Sequence, residues 1–339
     1  MIKFVTFAVK TQLNVHDLNN EAVAGNVQDI RIMECLDEQG TRREAPAVSG
    51  RMLKHWHYEA MRRLILNGGY SGLPLCAGCR AGEPIRPGEK NGEDLQQMQL
   101  KEKEAITNCS ICDIHGYLIA QDGAKKRGKS GEDDGDEAGV SARRSSRVMF
   151  SWLMPVLEHE TVARQVLHTR VSQQQKKSSK GENKDEDKDS AQMLFSKSYA
   201  SGIYAFVSAF DAARVGVVEQ ELDSSSVGQK TDDLNVKKRI SVAIEAYRYL
   251  ISGQIGASLS HALPHMNLRE LLVCYSKSGP LPFPVSPMYP DYIRKTCSLL
   301  PAGANLIYWG DGAPDGVVKV DSVDEVFRKL DELIRDTDK

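Results

Sequence analysis

The sequence predicts an α+β fold with interleaved strands and helices, and three observations carry that expectation. Segments that alternate apolar and polar residues with a period of two lie beside segments with a helical period near 3.6. Hydrophobic residues make up 41% of the 339 residues, enough for roughly two domains with cores of their own. Polar low-complexity stretches interrupt the ordered blocks without dominating them.

Taken in order, Lys3 to Val15 and Val27 to Leu36 read as strands, and Ser49 to Leu66 reads as a helix closed by Gly68-Gly69. Met193 to Phe210 contains a strand whose second half puts Tyr204, Phe206 and Phe210 on one face. Val236 to Ser252 is amphipathic, with Ile240, Ala243, Ile244, Tyr247 and Leu250 on one side and Gly253 as its cap. A short strand, Val317 to Val320, precedes a terminal helix, Val323 to Ile334, whose inward residues are Val326, Phe327, Leu330 and Ile334. Between these blocks, Gln121 to Arg147 and Ser172 to Ala191 carry charges of both signs and almost nothing to bury. They cannot offset their ordering entropy and are expected to be mobile insertions. Glu219 to Asn235 reads as a polar surface connection, and no internal repeat is evident.

A formal net charge of −2 removes any global attraction for polyanions, so a nucleic-acid site would have to be a local patch. The longest apolar stretch, Val148 to Leu157, is broken by Ser151 and Pro155 and falls short of the roughly 20 residues a membrane helix needs. The opening Met1-Ile2-Lys3-Phe4-Val5-Thr6-Phe7 alternates like a strand and does not resemble a secretory signal, so a cytoplasmic protein is expected. Seven cysteines, an odd number with two C-x-x-C pairs, suit reduced thiols or a metal better than a disulfide framework.

At about 100° per residue, Arg51, Lys54, His55, Tyr58 and Arg62 fall in one stripe of the first helix, with Leu53, Trp56, Ala60 and Leu64 opposite. Such a ridge can neutralise successive phosphates of a nucleic-acid strand, helped by the helix N-terminus. An ordinary solvated face is the competing reading. Cys76, Cys79, Cys109 and Cys112 form two pairs with 29 residues between them, a set able to close a tetrahedral Zn²⁺ site; unrelated thiols or a redox pair are the alternatives. Cys35, Cys274 and Cys297 sit in apolar surroundings that suggest core positions. His16, His55, His57 and His115 invite an acid–base reading, but no nucleophile order, phosphate loop or carboxylate pair accompanies them. Tyr204-Ala205-Phe206-Val207 partly matches an RNA-recognition signature, yet without its basic opening the two aromatics read as core. Gly253 to Ser258 is a small-residue loop that stops a helix and would allow close backbone approach.

Five segments in chain order resemble the CRISPR-associated Cascade backbone family, the DevR-type or "Cas seven" subunits, most closely the type I-A branch. They are Leu13-Asn14-Val15-His16-Asp17-Leu18-Asn19; Pro46 to Gly50 running into Met52 to His57; Asp113-Ile114-His115-Gly116-Tyr117-Leu118; Ala191 to Lys197 running on to Gly202-Ile203-Tyr204; and Ser252 to Ala257. The resemblance implies a modified RRM-like (ferredoxin-like) palm, an inserted finger region and a long β-hairpin thumb. On this chain the palm would occupy 1–66 and 201–339, the latter with the C-terminal helix, the finger insertion 67–147 and the thumb 148–200. The thumb's arms would lie between about Glu158 and Ser198, with Ser172 to Ala191 near the tip and Met193 to Phe195 at the base.

The resemblance further implies a non-catalytic subunit that binds CRISPR RNA, stacks with copies of itself into a helical filament, contacts other Cascade subunits and presents the guide to target DNA, with no membrane involved. RNA contacts would fall on Asn14, His16, Ser49, Arg51, Lys54, His55, Met193, Phe195, Lys197, Gly253 and Gly256. Base pairing, rather than the protein, would read sequence. The zinc set Cys76, Cys79, Cys109 and Cys112 is not implied by the resemblance and rests on spacing alone. Two rivals remain: a CRISPR endoribonuclease of related fold using His16, His55 or His115, and a zinc-stabilised regulator that binds a protein partner.

Overall fold

The computed structural model describes residues 1–18, 20–24, 27–82, 102–120, 141–171, 192–219, 227–229, 235–254, 259–312 and 317–335. The first half of the chain contributes β1 (Phe4–His16), β2 (Asn20–Ala24), β3 (Val27–Ile30), β4 (Ile32–Leu36), β5 (Arg42–Pro46) and α1 (Gly50–Asn67). Short helices α2 (Ala77–Ala81), α3 (Glu102–Asn108) and α4 (Ser110–His115) follow, then β6 (Tyr117–Ala120) and β7 (Ser141–Arg144). The remainder comprises β8 (Val148–Phe150), β9 (Met154–Pro155), β10 (Val162–Val171), β11 (Gln192–Phe210), α5 (Val236–Ile251) and β12 (His265–Ser276). The chain closes with α6 (Tyr292–Leu299), β13 (Asn305–Gly310), β14 (Val318–Lys319) and α7 (Val323–Arg335).

One mixed sheet organises the molecule. Its order is β14-β13-β12-β1-β11-β3-β2, with β8, β9 and β10 also pairing with β11. β1 is central, antiparallel to β11 from Val5 opposite Phe210 and to β12 from Phe4 opposite Ser276. The period of two then sorts the layers. Val5, Phe7, Val9 and Leu13 of β1 and Tyr204, Phe206 and Phe210 of β11 join the core beneath α1, α5 and α7. Phe4, Ala8, Ala209, Leu272 and Cys274 face the other way, against Leu281, Tyr292 and Ile293 of the α6 region. Tyr204 and Phe206 are thus core residues, as their sequence context suggests. The inward residues expected for α7 are all buried.

Helix α1 starts at an N-cap: Ser49 Oγ accepts from Met52 N–H at 3.3 Å. Helix α5 ends in a Schellman motif, with Gly253 N–H donating to Leu250 O at 3.2 Å, Gln254 N–H to Tyr249 O at 3.1 Å, and Gly253 at φ +87°.

Several expectations are corrected. Val27 to Leu36 is two strands, because the chain turns at Arg31: β3 joins the main sheet through β11 and β2, whereas β4 pairs only with β5. Arg31 O accepts instead from Ala47 N–H at 3.0 Å. The charged insertion is shorter than Gln121 to Arg147, since Ser141–Arg144 pairs with β6 and both Arg144 and Arg147 are buried. Met193 to Phe195 lies at the outer described end of the β10–β11 hairpin rather than its base: Met193 is opposite Arg170 and Phe195 opposite His168, while the base is Val162 opposite Ser201. Cys274 is buried, but Cys35 and Cys297 are only half-buried. The stretch Glu219 to Asn235 begins with a carboxylate that is half-buried and ion-paired. The insertion expected at Ser172 to Ala191, residue Gly256 and the rest of the charged insertion, 121–140, lie outside the described residues. Among the described residues, no helix is long and apolar enough to cross a membrane.

Candidate nucleic-acid interface and cysteine cluster

Of the predicted contact residues, Asn14, His16, Lys197 and Gly253 lie at one end of the sheet, where β1 finishes. A β-bulge between Leu13 and His16 leaves Val15 at φ +56° and turns His16 inward. Val15 N–H donates to Ser201 Oγ at 2.9 Å, and His16 packs edge-on against Tyr204 with ring centroids 5.0 Å apart. Burial lowers the His16 pKa to about 4, more than adjacent Asp17 can raise it, so the imidazole is neutral. A fully buried His16 cannot touch RNA in this conformation; Asn14, half-buried, and Val15, exposed, are the accessible residues of the bulge. Lys197 Nζ, from β11, reaches Asp17 Oδ2 at 3.1 Å and His261 Nε2 at 3.2 Å, which ties the middle of the hairpin to the residue after β1. Gly253 belongs to the same end: a Cβ there would meet Met266 Sδ at 2.4 Å, and Met266 sits opposite Leu13.

Helix α1 packs along α5, the helix that Gly253 ends. Trp56 of α1 shares a cavity of about 190 Å³ with Tyr249 and Gln254 at the end of α5. Arg51 and His55 are exposed and Lys54 is half-buried. The helix is buried on two sides, however, so the predicted stripe is narrower than its helical wheel. Tyr58 is in the core, donating to Cys79 O at 3.4 Å, and Arg62 turns toward Glu59 and Arg80 O. Trp56, expected inward, is half-exposed. Ser49 spends its hydroxyl on the cap, and the carbonyls of Phe150 and Ser151 lie where a Gly50 Cβ would be, at 2.6 and 2.8 Å, so backbone covers one side of the helix start.

The outer hairpin presents a different surface. Phe195 stacks on His168 with centroids 5.3 Å apart and an interplanar angle of 17°, while Val162, Val166, Leu167 and Leu194 are exposed. Nothing is described of the Met193 side chain.

The four cysteines predicted to meet do meet. The sulfurs of Cys76, Cys79, Cys109 and Cys112 all lie within 4.8 Å of one another, with Cys112 Sγ 3.9 Å from Cys76 Sγ and 3.8 Å from Cys79 Sγ. Hydrogen bonds from the other three sulfurs, Cys109 first, hold Cys76 well below the usual thiol range, and contact with Cys109 pushes Cys112 up. Four crowded thiols cannot all ionise without a cation among them.

Beside this cluster stands a buried charge network that the sequence reading missed. Asp113 accepts from Arg144 Nη2 at 2.5 Å, Arg239 Nη1 at 2.8 Å and Gly216 N–H at 3.1 Å. Arg144 also pairs with Glu102, whose other oxygen accepts from Glu219 N–H at 2.7 Å. One ring away, His57 Nδ1 is 3.0 Å from His115 Nε2, and His57 Nε2 is 2.9 Å from Ala243 O. Burial lowers the His57 pKa to about 3, with Lys54 lowering it further and the Ala243 carbonyl opposing. The available signal was Arg239, a cation flanking the apolar stripe of α5, opposite the Asp113-Ile114-His115-Gly116 segment. Its partner Arg144 was hidden inside a stretch that composition assigned to a mobile insertion.

Comparison with known proteins gives a consistent result. The family model described as "CRISPR-associated negative auto-regulator DevR/Csa2" matches residues 7–297. A "CRISPR-associated protein Cas7/Cst2/DevR" from Methanocaldococcus jannaschii is 27% identical, the match covering 98% of this chain and 100% of the relative. One of the same description from Thermoproteus tenax is 30% identical over 86% of this chain and 83% of its own. A "CRISPR-associated aCascade subunit Cas7/Csa2 2" from Saccharolobus solfataricus is 23% identical over 97% of this chain and 99% of its own. Among solved structures, a chain of a "CRISPR RNA-guided surveillance complex, pre-nicking" superposes with a TM-score of 0.52 at 12% identity, covering 98% of this chain and 99% of that one. The likeness extends the shared fold well beyond the reach of sequence identity.

Proposed function

The chain belongs to the DevR/Csa2 family of CRISPR-associated proteins, and from that premise we propose that it is a non-catalytic, crRNA-binding backbone subunit of a type I-A Cascade effector in the cytoplasm. The observation that carries this reading is the continuity of the family match over 7–297, which takes in the bulge of β1, helix α1, the β10–β11 hairpin and the stop of α5. The "aCascade subunit" description of the Saccharolobus relative supports a place in a Cascade effector.

In this reading the palm is ferredoxin-like. The order β12-β1-β11-β8, with α1 in the crossover from β1 and α5 in the crossover to β12, supports it. Residues 67–147 are the finger insertion, and β10 with the first half of β11 is the thumb, within 148–200. Arg51, Lys54 and His55 contact the RNA backbone from the first turns of α1, and Asn14 contacts it from the bulge. Ser49, Gly253 and His16 act indirectly: the first fixes the start of α1, the second the end of α5, and the third packs the bulge from beneath. Lys197 exchanges part of its contact with Asp17 for a phosphate. Phe195 and Met193 reach the guide from the hairpin, and Gly256 belongs to the loop beyond Gly253.

Phosphate contacts fix the strand without reading it, and exposed bases pair with target DNA. The exposed apolar residues of β10 favour a hairpin that packs on a neighbouring copy, a heterologous contact that propagates as a helical stack. Against the endoribonuclease reading stands the burial of His16 and His115, which leaves His55 as the accessible member of that trio. The test is the double reversal Arg51→Glu with Lys54→Glu. RNA co-purifying with the parent should be lost from the variant at unchanged thermal stability, whereas retained RNA would remove α1 from the interface.

A further inference from the structure

We infer that Cys76, Cys79, Cys109 and Cys112 hold a single structural zinc ion, and that this centre pins α2 and α4 onto the flank of α1. The inference stands apart from RNA binding and needs none of it.

The cage has the dimensions of a mononuclear tetrahedral site. Zinc–thiolate bonds of about 2.3 Å in tetrahedral geometry set the sulfurs about 3.8 Å apart, and Cys112 Sγ lies 3.8 and 3.9 Å from two of its partners. A disulfide requires contact near 2.05 Å, and all seven cysteines are free. A polynuclear iron–sulfur cluster spreads its cysteines wider than the 4.8 Å limit seen here. Both C-x-x-C turns also carry the same local bond. Cys79 N–H points at Cys76 Sγ (3.5 Å) and Cys112 N–H at Cys109 Sγ (3.4 Å), so each first cysteine caps a helix and has a donor that favours its thiolate. Zn²⁺ suits a closed four-thiolate set with no open position, since it brings neither redox chemistry nor a geometric preference of its own.

The role follows from what the cage connects. Helices α2 and α4 have five and six residues, far too short to persist alone. They are held instead by Ser110 N–H on Pro74 O at 2.9 Å and by two contacts from α1, Tyr58 OH on Cys79 O and Arg62 Nε on Arg80 O. Cys112 precedes Asp113, so the same centre fixes the carboxylate that gathers Arg144 and Arg239. Binding replaces four thiol protons by one Zn²⁺, and the protons leave to solvent.

Elemental analysis of the purified full chain tests the inference. The expected result is one zinc per chain, four cysteines protected from alkylation under native conditions, and release of that zinc in step with mercurial titration of four thiols. Cobalt substitution should give the visible bands of a tetrahedral thiolate site, and Cys109→Ser should lose the metal. Should Cys109→Ser fail to fold, the titration of the parent protein decides the matter. Metal-free protein with freely alkylated cysteines, a mass showing two disulfides, or iron in place of zinc would each overturn the inference.

Discussion

Replacing Asp113 with alanine is expected to destabilise the chain more than any single change on its surface. The Asp113 and Arg144 side chains are 0% exposed and that of Arg239 is 1% exposed, so neither guanidinium gains water when the carboxylate is removed. Breaking one buried ion pair by deleting a partner costs about 3–5 kcal/mol. Two arginines are affected here, but the losses do not add in full. Arg144 keeps Glu102 and the carbonyls of Asp113 and Val217, and Arg239 keeps Ile106 O at 2.7 Å. Gly216 N–H is left with no acceptor among the described residues. The net expectation is therefore about 3–5 kcal/mol, or a Tm lowered by roughly 6–10 °C at ~2 °C per kcal/mol for a chain of this size. Asp113→Asn, which keeps an acceptor and the shape, should fall between the two proteins. Thermal unfolding by circular dichroism at neutral pH is the assay. An alanine variant melting within ~2 °C of the parent would show that the network is solvated and the reasoning wrong.

Removal of charge on α1 has a salt signature: Arg51→Ala with Lys54→Ala should reduce the slope of log affinity against log salt for single-stranded RNA by about 1.4, at ~0.7 per phosphate contact, and an unchanged slope would place the strand elsewhere. Gly116→Ala should fold poorly, because φ is +70° and the new Cβ would lie 2.3 Å from Arg144 O, which is backbone and cannot swing away; soluble, parent-like expression would contradict it. Acid should destabilise through His16 and His57, whose folded pKa values of about 4 and about 3 lie below the unfolded 6.5. The unfolded state then binds more protons between those values, so stability falls from pH 6.5 downward and the loss is complete near pH 3–4. Between pH 7 and 5 the two together should cost ~3–4 kcal/mol, and a Tm that is flat over that interval would refute their burial as neutral groups.

Periodicity exposed the helical layer, since α1, α5 and α7 each carry an apolar face, and the apolar runs of β1 and the second half of β11 marked strands that are buried on both faces. The cysteine cage was equally legible, because two C-x-x-C turns constrain their own local geometry and only a chance fold would keep them apart. What stayed hidden depended on partners distant in the chain. Arg144 and Arg147 look like tail residues until Glu102, Asp113 and Glu219 are brought to them from up to 72 positions away. The break at Arg31 follows from a hydrogen bond to Ala47 that no local pattern announces. On α1, the helical wheel put Arg51 and His55 outward, where they are exposed, and Lys54 outward, where it is half-buried, because it assumed one buried side. With the cysteine segment on one flank and α5 on the other, Tyr58 went into the core and Trp56 toward solvent. His16 was drawn outward by its neighbours in the sequence and inward by the bulge at Val15, and the bulge prevailed.

The central claim is that copies of this chain line up along one RNA strand. The most direct measurement is light scattering coupled to size-exclusion chromatography of the purified protein, followed by ribonuclease digestion and sizing of the protected RNA. Multi-copy particles carrying RNA are expected, with protected lengths that step by a constant interval as copies are added. Monomeric, RNA-free protein that leaves an added CRISPR RNA unprotected would contradict it.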